Sequence, residues 1–436
     1  MVRFDENNNV IENESGNAIL VGLSTGQDIS YSMQELEGLA RAAGVNVLGI
    51  LTQNAEKVHT AFYIGTGKIR ELAELCANMQ ADLVIFNDEL TGMQLRNVED
   101  AVGVKVIDRT ILILDIFADR ATSREGKMQV EMAQLQYRMP RLLGFGHALS
   151  RLGGGIGTRG PGEKKLETDR RHIQSRLDEI RAELKELQGN RQTQRAKRED
   201  STIPVVALVG YTNSGKSSIM NRLLQLEDRT EKQVFEKDML FATLDTAQRL
   251  ITLDDNHRFI LIDTVGFVSK LPHSLVQAFR STLDEVNYAD LLVHVVDASF
   301  EEHDFHMQVT EKVMNELGAG DKPMLTVFNK IDKVPGFEAV GYGKDALCIS
   351  TKTGEGYDAF LRRLNELLFS DYRQVELIIP YDKGSIVSAL LQKSAAIETE
   401  YLAEGTRLVI ELETADRSRY KQYITSPLQE AAPEEW

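Results

Sequence analysis

The chain has 436 residues, 42% of them hydrophobic and 27% charged, which is typical of a globular protein and long enough for two to four domains. Its two cysteines lie far apart, which excludes a small disulfide-stabilised fold and favours a reducing cytoplasmic location. The net charge of −16 argues against DNA as a partner. The polar N-terminus is unlike a signal peptide, and no apolar run approaches the ~20 residues of a membrane helix, which argues against a membrane partner.

The N-terminal part, over residues 1–118, alternates apolar runs with helix-like segments. The runs AILVGL, VNVLGIL, ADLVIF and VKVID have the composition of buried strands, and amphipathic segments separate them. This order predicts an α/β domain with a parallel sheet. IGTGK, at Ile64–Lys68, looks like half a phosphate-binding loop. It lacks the first glycine and the Ser/Thr, so a turn followed by a helix start is the favoured interpretation.

The second part, over residues 119–200, changes to a heptad period. Apolar residues recur with 4-3-4-3 spacing in two places, which is the 3.5-residue seam of paired helices. They are Met128, Met132, Leu135, Met139 and Leu142 in the first and Ile173, Leu177, Ile180, Leu184 and Leu187 in the second. The pattern predicts an antiparallel helical hairpin with its connection at Gly144–Gly162, followed by a polar linker at Gly189–Asp200.

The hairpin and its connection are basic in an acidic chain. The window 139–198 contains 14 Lys and Arg against 7 Asp and Glu, so it carries +7 and the rest of the chain −23. Its GIGTRG matches the dinucleotide fingerprint but follows no strand and opens no βαβ unit, which excludes that interpretation. Glycines with Arg151, Arg159, Lys164 and Lys165 instead suit a loop that contacts structured RNA. A disordered loop with incidental charge is the alternative.

The strongest motif lies in IPVVALVGYTNSGKSSIMNRLL. A β-rich run at Val205–Val209 leads into G-x-x-x-x-G-K-S, and a helix pattern follows. Lys216 is expected to reach the β- and γ-phosphates and Ser217 to ligate Mg²⁺, while backbone N–H groups surround the phosphates. The candidate contacts are Gly210, Tyr211, Thr212, Asn213, Ser214, Gly215, Lys216 and Ser217.

Three downstream motifs complete a Ras-like GTPase domain over residues 201–370. The strand FILID ends in Asp263, which is placed to hold Mg²⁺, and Gly266 can offer its N–H to the γ-phosphate. Asp332 of NKID can accept hydrogen bonds from guanine N1–H and the 2-amino group, which selects GTP over ATP. The STK motif can meet the guanine carbonyl. The candidate contacts are Asp263, Thr264, Val265, Gly266, Asn329, Lys330, Ile331, Asp332, Ser350, Thr351 and Lys352.

Two further positions concern hydrolysis. Thr243, in LFATLDTAQRL, is the natural switch threonine, whose hydroxyl would complete the Mg²⁺ shell and sense the γ-phosphate. Phe267 follows DTVG, where Ras-like enzymes place a glutamine that orients the attacking water. A phenyl ring cannot do this, so intrinsic hydrolysis is expected to be slow. The missing group must come from elsewhere in the chain or from a partner, and we expect a partner to raise the rate. The candidate catalytic residues are Lys216, Thr243 and Gly266.

The C-terminal part, over residues 371–436, predicts a small α+β domain. VELIIPY and TRLVIELE are typical of strands, GSIVSALLQKSAAIETEY of a helix between them, and the tail QEAAPEEW of a disordered segment. The fold class expected for the whole chain is therefore multidomain α/β. It comprises an N-terminal parallel α/β domain, an antiparallel helical hairpin, a Ras-like P-loop GTPase domain and a small C-terminal α+β domain.

The chain resembles the HflX family of translation-associated GTPases over residues 18–370. The resemblance is carried by IGTGK, VIFNDEL, GGGIGTRGPGEKKLETDRR, GYTNSGKS, LFATLD and DTVGF, among others. It implies a cytoplasmic, Mg²⁺-dependent GTPase, expected to act as a monomer, that binds the large ribosomal subunit and its rRNA. It also implies splitting of stalled or idle ribosomes under stress, especially heat, and hydrolysis stimulated by the ribosome.

Residue by residue, the resemblance adds a switch segment to the nucleotide contacts and an RNA surface at the hairpin. The switch residues are Phe241, Ala242, Thr243, Leu244 and Asp245, with Thr243 and Ser217 as metal ligands. The RNA-binding residues are Arg151, Arg159, Lys164, Lys165, Arg170 and Arg171. LDTAQR replaces an LDPTTR-like sequence, so Thr246 and Ala247 stand where Pro and Thr are usual and leave the segment less constrained in φ. Ser218 replaces the usual threonine.

Other functions fit part of these features. A ribosome assembly or hibernation factor would use the same hairpin to dock without separating subunits. A signalling switch with a protein effector would not need the basic loop. An ATP-driven RNA activity of the N-terminal domain would need a second NTP motif, and the sequence has no complete one.

Overall fold

A computed structural model of the chain describes eleven stretches of it. These are residues 3–4, 10–11, 16–142, 161–199, 203–226, 240–241, 247–253, 257–270, 284–343, 345–393 and 396–427. Two short strands, β1 (Arg3–Phe4) and β2 (Val10–Ile11), pair with each other ahead of the first domain. Across the described ranges the predicted fold class is confirmed.

The N-terminal domain is a four-stranded parallel sheet with helices packed on it. The strand order is β4-β3-β5-β6. The strands are β3 (Asn17–Ser24), β4 (Asn46–Asn54), β5 (Leu83–Phe86) and β6 (Lys105–Asp108). The helices are α1 (Ser30–Ala42), α2 (Thr66–Met79), α3 (Gly92–Val102) and α4 (Arg109–Arg120). IGTGK forms the start of α2, as the sequence predicts, because Gly65 is its N-cap.

The hairpin consists of α5 (Arg124–Leu142) and α6 (Pro161–Glu199). Its seam buries Met128 against Ile180 and Leu184, as the heptad spacing predicts. The predicted polar linker is wrong, because α6 continues through it to Glu199. Gly189 suggested a stop, yet glycine inside a helix costs only about 1 kcal/mol, and the Gln, Arg, Lys and Glu around it favour helix.

The third domain contains a six-stranded sheet in the order β12-β11-β10-β7-β9-β8, in which only the edge strand β8 is antiparallel to its neighbour. The strands are β7 (Val205–Val209), β8 (Ala247–Thr252), β9 (Arg258–Asp263), β10 (Leu291–Asp297), β11 (Met324–Asn329) and β12 (Leu347–Cys348). The described helices are α7 (Lys216–Leu226), α8 (His303–Leu317) and α9 (Tyr357–Leu368). The apolar central strands are buried, which is the usual state of strands in a parallel sheet covered on both faces.

The C-terminal domain is a four-stranded antiparallel sheet in the order β14-β15-β13-β16. Its elements are β13 (Arg373–Ile379), α10 (Gly384–Lys393), β14 (Ala396–Leu402), β15 (Gly405–Leu412), α11 (Thr414–Arg419) and β16 (Ile424–Pro427). The predicted long helix is wrong in its second half. Ile397, Thr399 and Tyr401 there favour a strand, which pairs with β15. The tail at 428–436 lies outside the described residues.

One hydrophobic core is shared between the N-terminal and GTPase domains. It joins Leu36 and Leu39 of α1 and Phe117 of α4 to Phe267 and Val268, which follow β9. The two domains therefore meet beside the DTVGF motif. In the described part of the chain, no helix is both long enough and apolar enough to cross a bilayer.

Candidate nucleotide site

The predicted phosphate-binding loop is a tight turn between β7 and α7. Gly210 and Gly215 have φ angles of 146° and 100°, in a region that favours glycine. Lys216 is buried, and its Nζ donates to the backbone oxygens of Gly210 at 3.1 Å and Tyr211 at 2.8 Å. Burial lowers the pKa of Lys216 to about 8. The loop therefore curls around the ammonium of its own lysine.

Two oxygen atoms that could ligate a metal lie together where the motifs predict a metal site. The Oγ of Ser217 donates to Oδ2 of Asp263 at 2.6 Å, and Asp263 is fully buried at the end of β9. Mg²⁺ prefers such hard oxygen ligands, and it is usually held by one or two carboxylates with phosphate oxygens and water. No group of three His, Cys, Asp or Glu side chains within the described stretches could hold a metal alone. The donor set therefore fits Mg²⁺ bound together with a nucleotide.

The NKID and STK motifs form one cluster at the ends of β11 and β12. Nδ2 of Asn329 donates to the backbone oxygen of Ser214 at 3.0 Å, and its Oδ1 accepts from the backbone N–H of Thr351 at 3.1 Å. Oδ1 of Asp332 accepts from Oγ of Ser350 at 2.7 Å. Asn329 thus joins the phosphate-binding loop to the loop expected to read the base.

Two residues that the motifs did not indicate support this cluster. Asp297, at the end of β10, lies 2.9 Å from Nζ of Lys330, which also donates to the backbone oxygen of Asn213 at 2.6 Å. Arg222 of α7 donates from Nη1 to the backbone oxygen of Thr351 at 3.0 Å. The burial of the remaining predicted contacts varies: Thr264 and Val265 are buried, Ile331 is half-buried and Lys352 is exposed.

The segment Gly266–Lys270, called the switch II segment below, lies directly on the phosphate-binding loop. The N–H of Phe267 donates to the Gly210 oxygen at 3.2 Å, and the N–H of Thr212 donates to the Phe267 oxygen at 2.7 Å. A Cβ built on Gly266 would lie 3.0 Å from Nζ of Lys216. The structure thus brings together two of the three candidate catalytic residues. Phe267 is 2% exposed, and its side chain belongs to the shared core.

The other switch segment is described only at its start. Phe241 has a φ of 54° and is buried edge-on against Phe117 of α4, with ring centroids 4.6 Å apart. This residue too contacts the N-terminal domain. The remaining predicted residues of this segment lie outside the described residues: Ala242, Thr243, Leu244 and Asp245.

Sequence reasoning assigned Tyr211 to the nucleotide, but its side chain reaches the N-terminal domain. Its ring stacks on His306 at 3.7 Å and 11°, and His306 Nε2 lies 2.6 Å from the hydroxyl of Tyr31 in α1. Burial lowers the pKa of His306 to about 4. The Tyr211 hydroxyl donates to Glu35 of α1. The predicted nucleotide contact of Tyr211 is therefore left to its backbone.

The sequence motifs do not indicate that four buried side chains meet at this contact. They are Glu35, Arg109, Tyr211 and Ser269, called the interdomain cluster below. Glu35 and Arg109 form an ion pair, and both side chains are 2% exposed. One signal was present in the sequence, since Arg109 is a charged residue between the apolar runs VKVI and TILIL.

The predicted RNA-binding residues are described only in part. Arg170 and Arg171 are exposed on α6, where Arg171 pairs with Glu167 at 2.8 Å. Lys164 and Lys165 belong to α6, but their side chains lie outside the description. Arg151 and Arg159 lie outside the described residues altogether.

Three family models match the chain in succession. Residues 30–118 match "GTP-binding GTPase N-terminal", residues 120–198 "GTP-binding GTPase Middle Region" and residues 205–330 "50S ribosome-binding GTPase". Among solved structures, the chain is similar to a GTP-binding protein from Sulfolobus solfataricus in complex with GDP, with 24% identity and a TM-score of 0.44 over 81% of this chain and 99% of that one.

The curated relatives are similar over nearly the whole chain. GTPase HflX of Caldanaerobacter subterraneus is 48% identical over 410 residues, which cover 94% of each chain. GTPase HflX of Escherichia coli is 40% identical over 394 residues, which cover 89% of this chain and 91% of the relative. The chain therefore belongs to the HflX family of GTPases, and it is a P-loop GTP hydrolase that binds guanine nucleotide with Mg²⁺.

Proposed function

We propose that this protein binds the large ribosomal subunit and separates stalled or idle ribosomes under stress. GTP binding drives the separation, and hydrolysis releases the factor. The protein acts as a monomer in the cytoplasm, with large-subunit rRNA as the surface it recognises. The description of the family model over residues 205–330, "50S ribosome-binding GTPase", supports this partner.

The nucleotide contacts belong to the same proposal. The phosphates lie along Gly210–Ser217, with Lys216 on the β- and γ-phosphates and Mg²⁺ on Ser217 and Thr243. The base lies between Asn329–Asp332 and Ser350–Lys352. The reaction is attack of water on the γ-phosphate, whose developing charge is stabilised by Lys216, Mg²⁺ and backbone N–H groups. The hydrogen bonds that join the motifs support this arrangement.

The observation that carries the proposal is the attachment of the hairpin to the N-terminal domain. Arg141, near the end of α5, donates from Nη2 to the backbone oxygen of Leu90 at 2.9 Å and lies 3.3 Å from Asp108. Its guanidinium stacks 3.3 Å above the Tyr137 ring, and the Tyr137 hydroxyl bonds Asp108. These partly buried contacts attach the end of α5 to the N-terminal domain, directly before the basic connection.

The hairpin and the switches share one support. The N-terminal domain that holds α5 also packs on Phe241 and on the switch II segment. A movement of the switch segments could therefore be transmitted to the hairpin through α4 and α5. This path gives GTP binding a means of moving a basic loop against rRNA, which acts as a polyanionic surface.

Subunit sedimentation tests the proposal. Intact ribosomes are incubated with the full chain and a non-hydrolysable GTP analogue, GTP or GDP, and separated on a sucrose gradient. The analogue and GTP are expected to convert intact ribosomes into free subunits, and GDP is not. Co-sedimentation with large subunits or intact ribosomes without a gain in free subunits would contradict splitting. It would favour a docking factor for assembly or hibernation.

A loop variant and a charge-matched control sharpen the result. Changing Arg159, Lys164 and Lys165 to alanine should abolish splitting and leave GDP affinity unchanged, because these residues lie far along the chain from the nucleotide motifs. The control removes three exposed positive charges elsewhere, at Lys57, Arg70 and Lys312. It should split ribosomes as the unmodified chain does.

A further inference from the structure

The interdomain cluster bonds every polar atom of Ser269. The Ser269 N–H donates to the Tyr211 hydroxyl at 2.6 Å, and its Oγ donates to Glu35. Arg109 Nη2 donates to the Ser269 backbone oxygen at 3.2 Å and to its Oγ at 3.1 Å. Ser269 is 4% exposed. The switch II segment is therefore held at this residue by side chains from α1, α4 and the phosphate-binding loop.

The charges of the cluster are balanced and desolvated. Arg109 pairs with Glu35 and also donates from Nη1 to Oδ1 of Asn87 at 3.1 Å. Removing one partner of such a buried pair leaves an uncompensated charge, so the pair resists opening. Beside it, Nζ of Lys270 lies 2.5 Å from Oδ1 of Asp88. Two consecutive residues of the switch II segment are thus bound to the N-terminal domain.

Two of the groups that bind the segment, Asp88 and Arg109, lie at the carboxyl ends of two parallel strands. Asn87 and Asp88 follow β5, and Arg109 follows β6. In open α/β sheets, the crevice outside these strand ends is where ligands bind. In this domain the switch II segment occupies part of that edge. The N-terminal domain therefore binds the segment at the carboxyl ends of its strands.

The other end of the segment contacts groups that P-loop proteins use to bind phosphate. Gly266 lies against Lys216, and the N–H of Thr212 is bonded to the Phe267 oxygen. Lys216 and such loop N–H groups are the donors that P-loop proteins offer to phosphate. With the segment in this position, the Thr212 N–H is already engaged and Gly266 lies beside the Lys216 ammonium. If the nucleotide binds as proposed above, a γ-phosphate would compete with the segment for these donors, whereas GDP, which lacks that phosphate, would not.

We infer that Glu35, Arg109 and Tyr211 are positioning residues that hold the switch II segment on the phosphate-binding loop, so that they lower the affinity for GTP relative to GDP. The N-terminal domain thereby takes part in nucleotide discrimination. This inference rests on the nucleotide contacts proposed above, and it does not require ribosome binding. A ligand can shift such an equilibrium only by its differential affinity for the two positions, and the γ-phosphate supplies that difference.

The test uses the full chain, without ribosomes, and two conservative variants. Ser269→Ala removes the hydroxyl bonded to Glu35 and Arg109, and Tyr211→Phe removes the hydroxyl bonded to Glu35 and to the Ser269 N–H. Dissociation constants are measured for GDP and for a non-hydrolysable GTP analogue in Mg²⁺. In each variant, the affinity for the GTP analogue relative to that for GDP should rise by about tenfold, which is the effect of one hydrogen bond to a charged group. GDP affinity of Ser269→Ala should stay unchanged.

Tyr137→Phe is the matched control. It also removes a hydroxyl bonded to a buried carboxylate in the N-terminal domain, that of Asp108, but it does not touch the switch II segment. Its ratio should equal that of the unmodified chain, and thermal unfolding checks that all variants fold. An unchanged ratio in both cluster variants, or a shift towards GDP, overturns the inference. Lys216→Ala distinguishes a failure of this inference from a failure of the proposed nucleotide contacts. Wild-type affinity for both nucleotides in that variant would contradict the contacts themselves.

Discussion

Replacing Lys216 by alanine is expected to lower the rate of GTP hydrolysis by about 10²–10³-fold, the usual effect of removing a preorganised donor to the transition state. The ammonium is buried within the loop, where its charge is weakly screened. Because its pKa is about 8, it is mostly protonated at pH 7. Steady-state phosphate release at pH 7 with saturating GTP measures the effect.

A second lysine of the same domain provides the control for Lys216. Nζ of Lys322 also donates to a backbone oxygen, that of Ala289 at 2.7 Å, but it lies outside the nucleotide motifs. Lys322→Ala should therefore hydrolyse GTP at the unmodified rate. If Lys216→Ala loses less than about threefold in rate, the charge-stabilising role given to this lysine is wrong.

Replacing Asp332 by asparagine is expected to weaken guanine nucleotide binding at least about 100-fold. The carboxylate contact to the base is lost, and the amide N–H₂ would face the N–H groups of guanine, which cannot accept a hydrogen bond. The asparagine amide offers an N–H₂ group where guanine carries its 2-amino group. Xanthine carries a carbonyl there, so xanthosine nucleotides should bind the variant more tightly than the unmodified chain. Titration with GDP and xanthosine diphosphate measures both changes.

The matched control for this change is Asp358→Asn, which alters the same charge at an exposed position of α9. It should keep GDP affinity. Equal GDP affinity in Asp332→Asn and the unmodified chain, without a gain for the xanthine nucleotide, would show that Asp332 does not read the base. The Asp332–Ser350 hydrogen bond would then be only structural.

The fold was predictable where the pattern is local. Continuous apolar runs such as VVALV indicate buried parallel strands, and the spacing of Met128, Ile180 and Leu184 indicates the hairpin seam. The nucleotide motifs are local as well, since each consists of a strand end and the turn after it. Their meeting follows from the parallel sheet, whose strand ends share one edge.

The errors arose where tertiary pairing outweighed the local signal. The segment AIETEYL continues an apparent helix in the sequence, but it pairs antiparallel with β15, with an irregularity between Ala396 and Glu398. At Gly189 the opposite happened. A weak stop signal was overridden by the strong helix formers on either side, and α6 continues.

The sequence does not show which residues meet in the interdomain cluster. Ser269 is 234 residues from Glu35 and 160 from Arg109, and nothing in the sequence around these residues indicates that they meet. Phe267 gave a partial hint. A hydrophobic residue in place of the water-orienting glutamine suggested a different role, and the structure buries its ring in the core shared with the N-terminal domain.

In the proposed function, the basic hairpin loop couples large-subunit rRNA to the nucleotide site. Steady-state GTP hydrolysis with and without purified large ribosomal subunits tests it most directly, in the unmodified chain and in the variant with Arg159, Lys164 and Lys165 changed to alanine. We expect slow hydrolysis alone, a large stimulation by the subunit and loss of this stimulation in the variant. Fast hydrolysis without subunits, or equal stimulation of the variant, would show that the loop does not couple rRNA to hydrolysis.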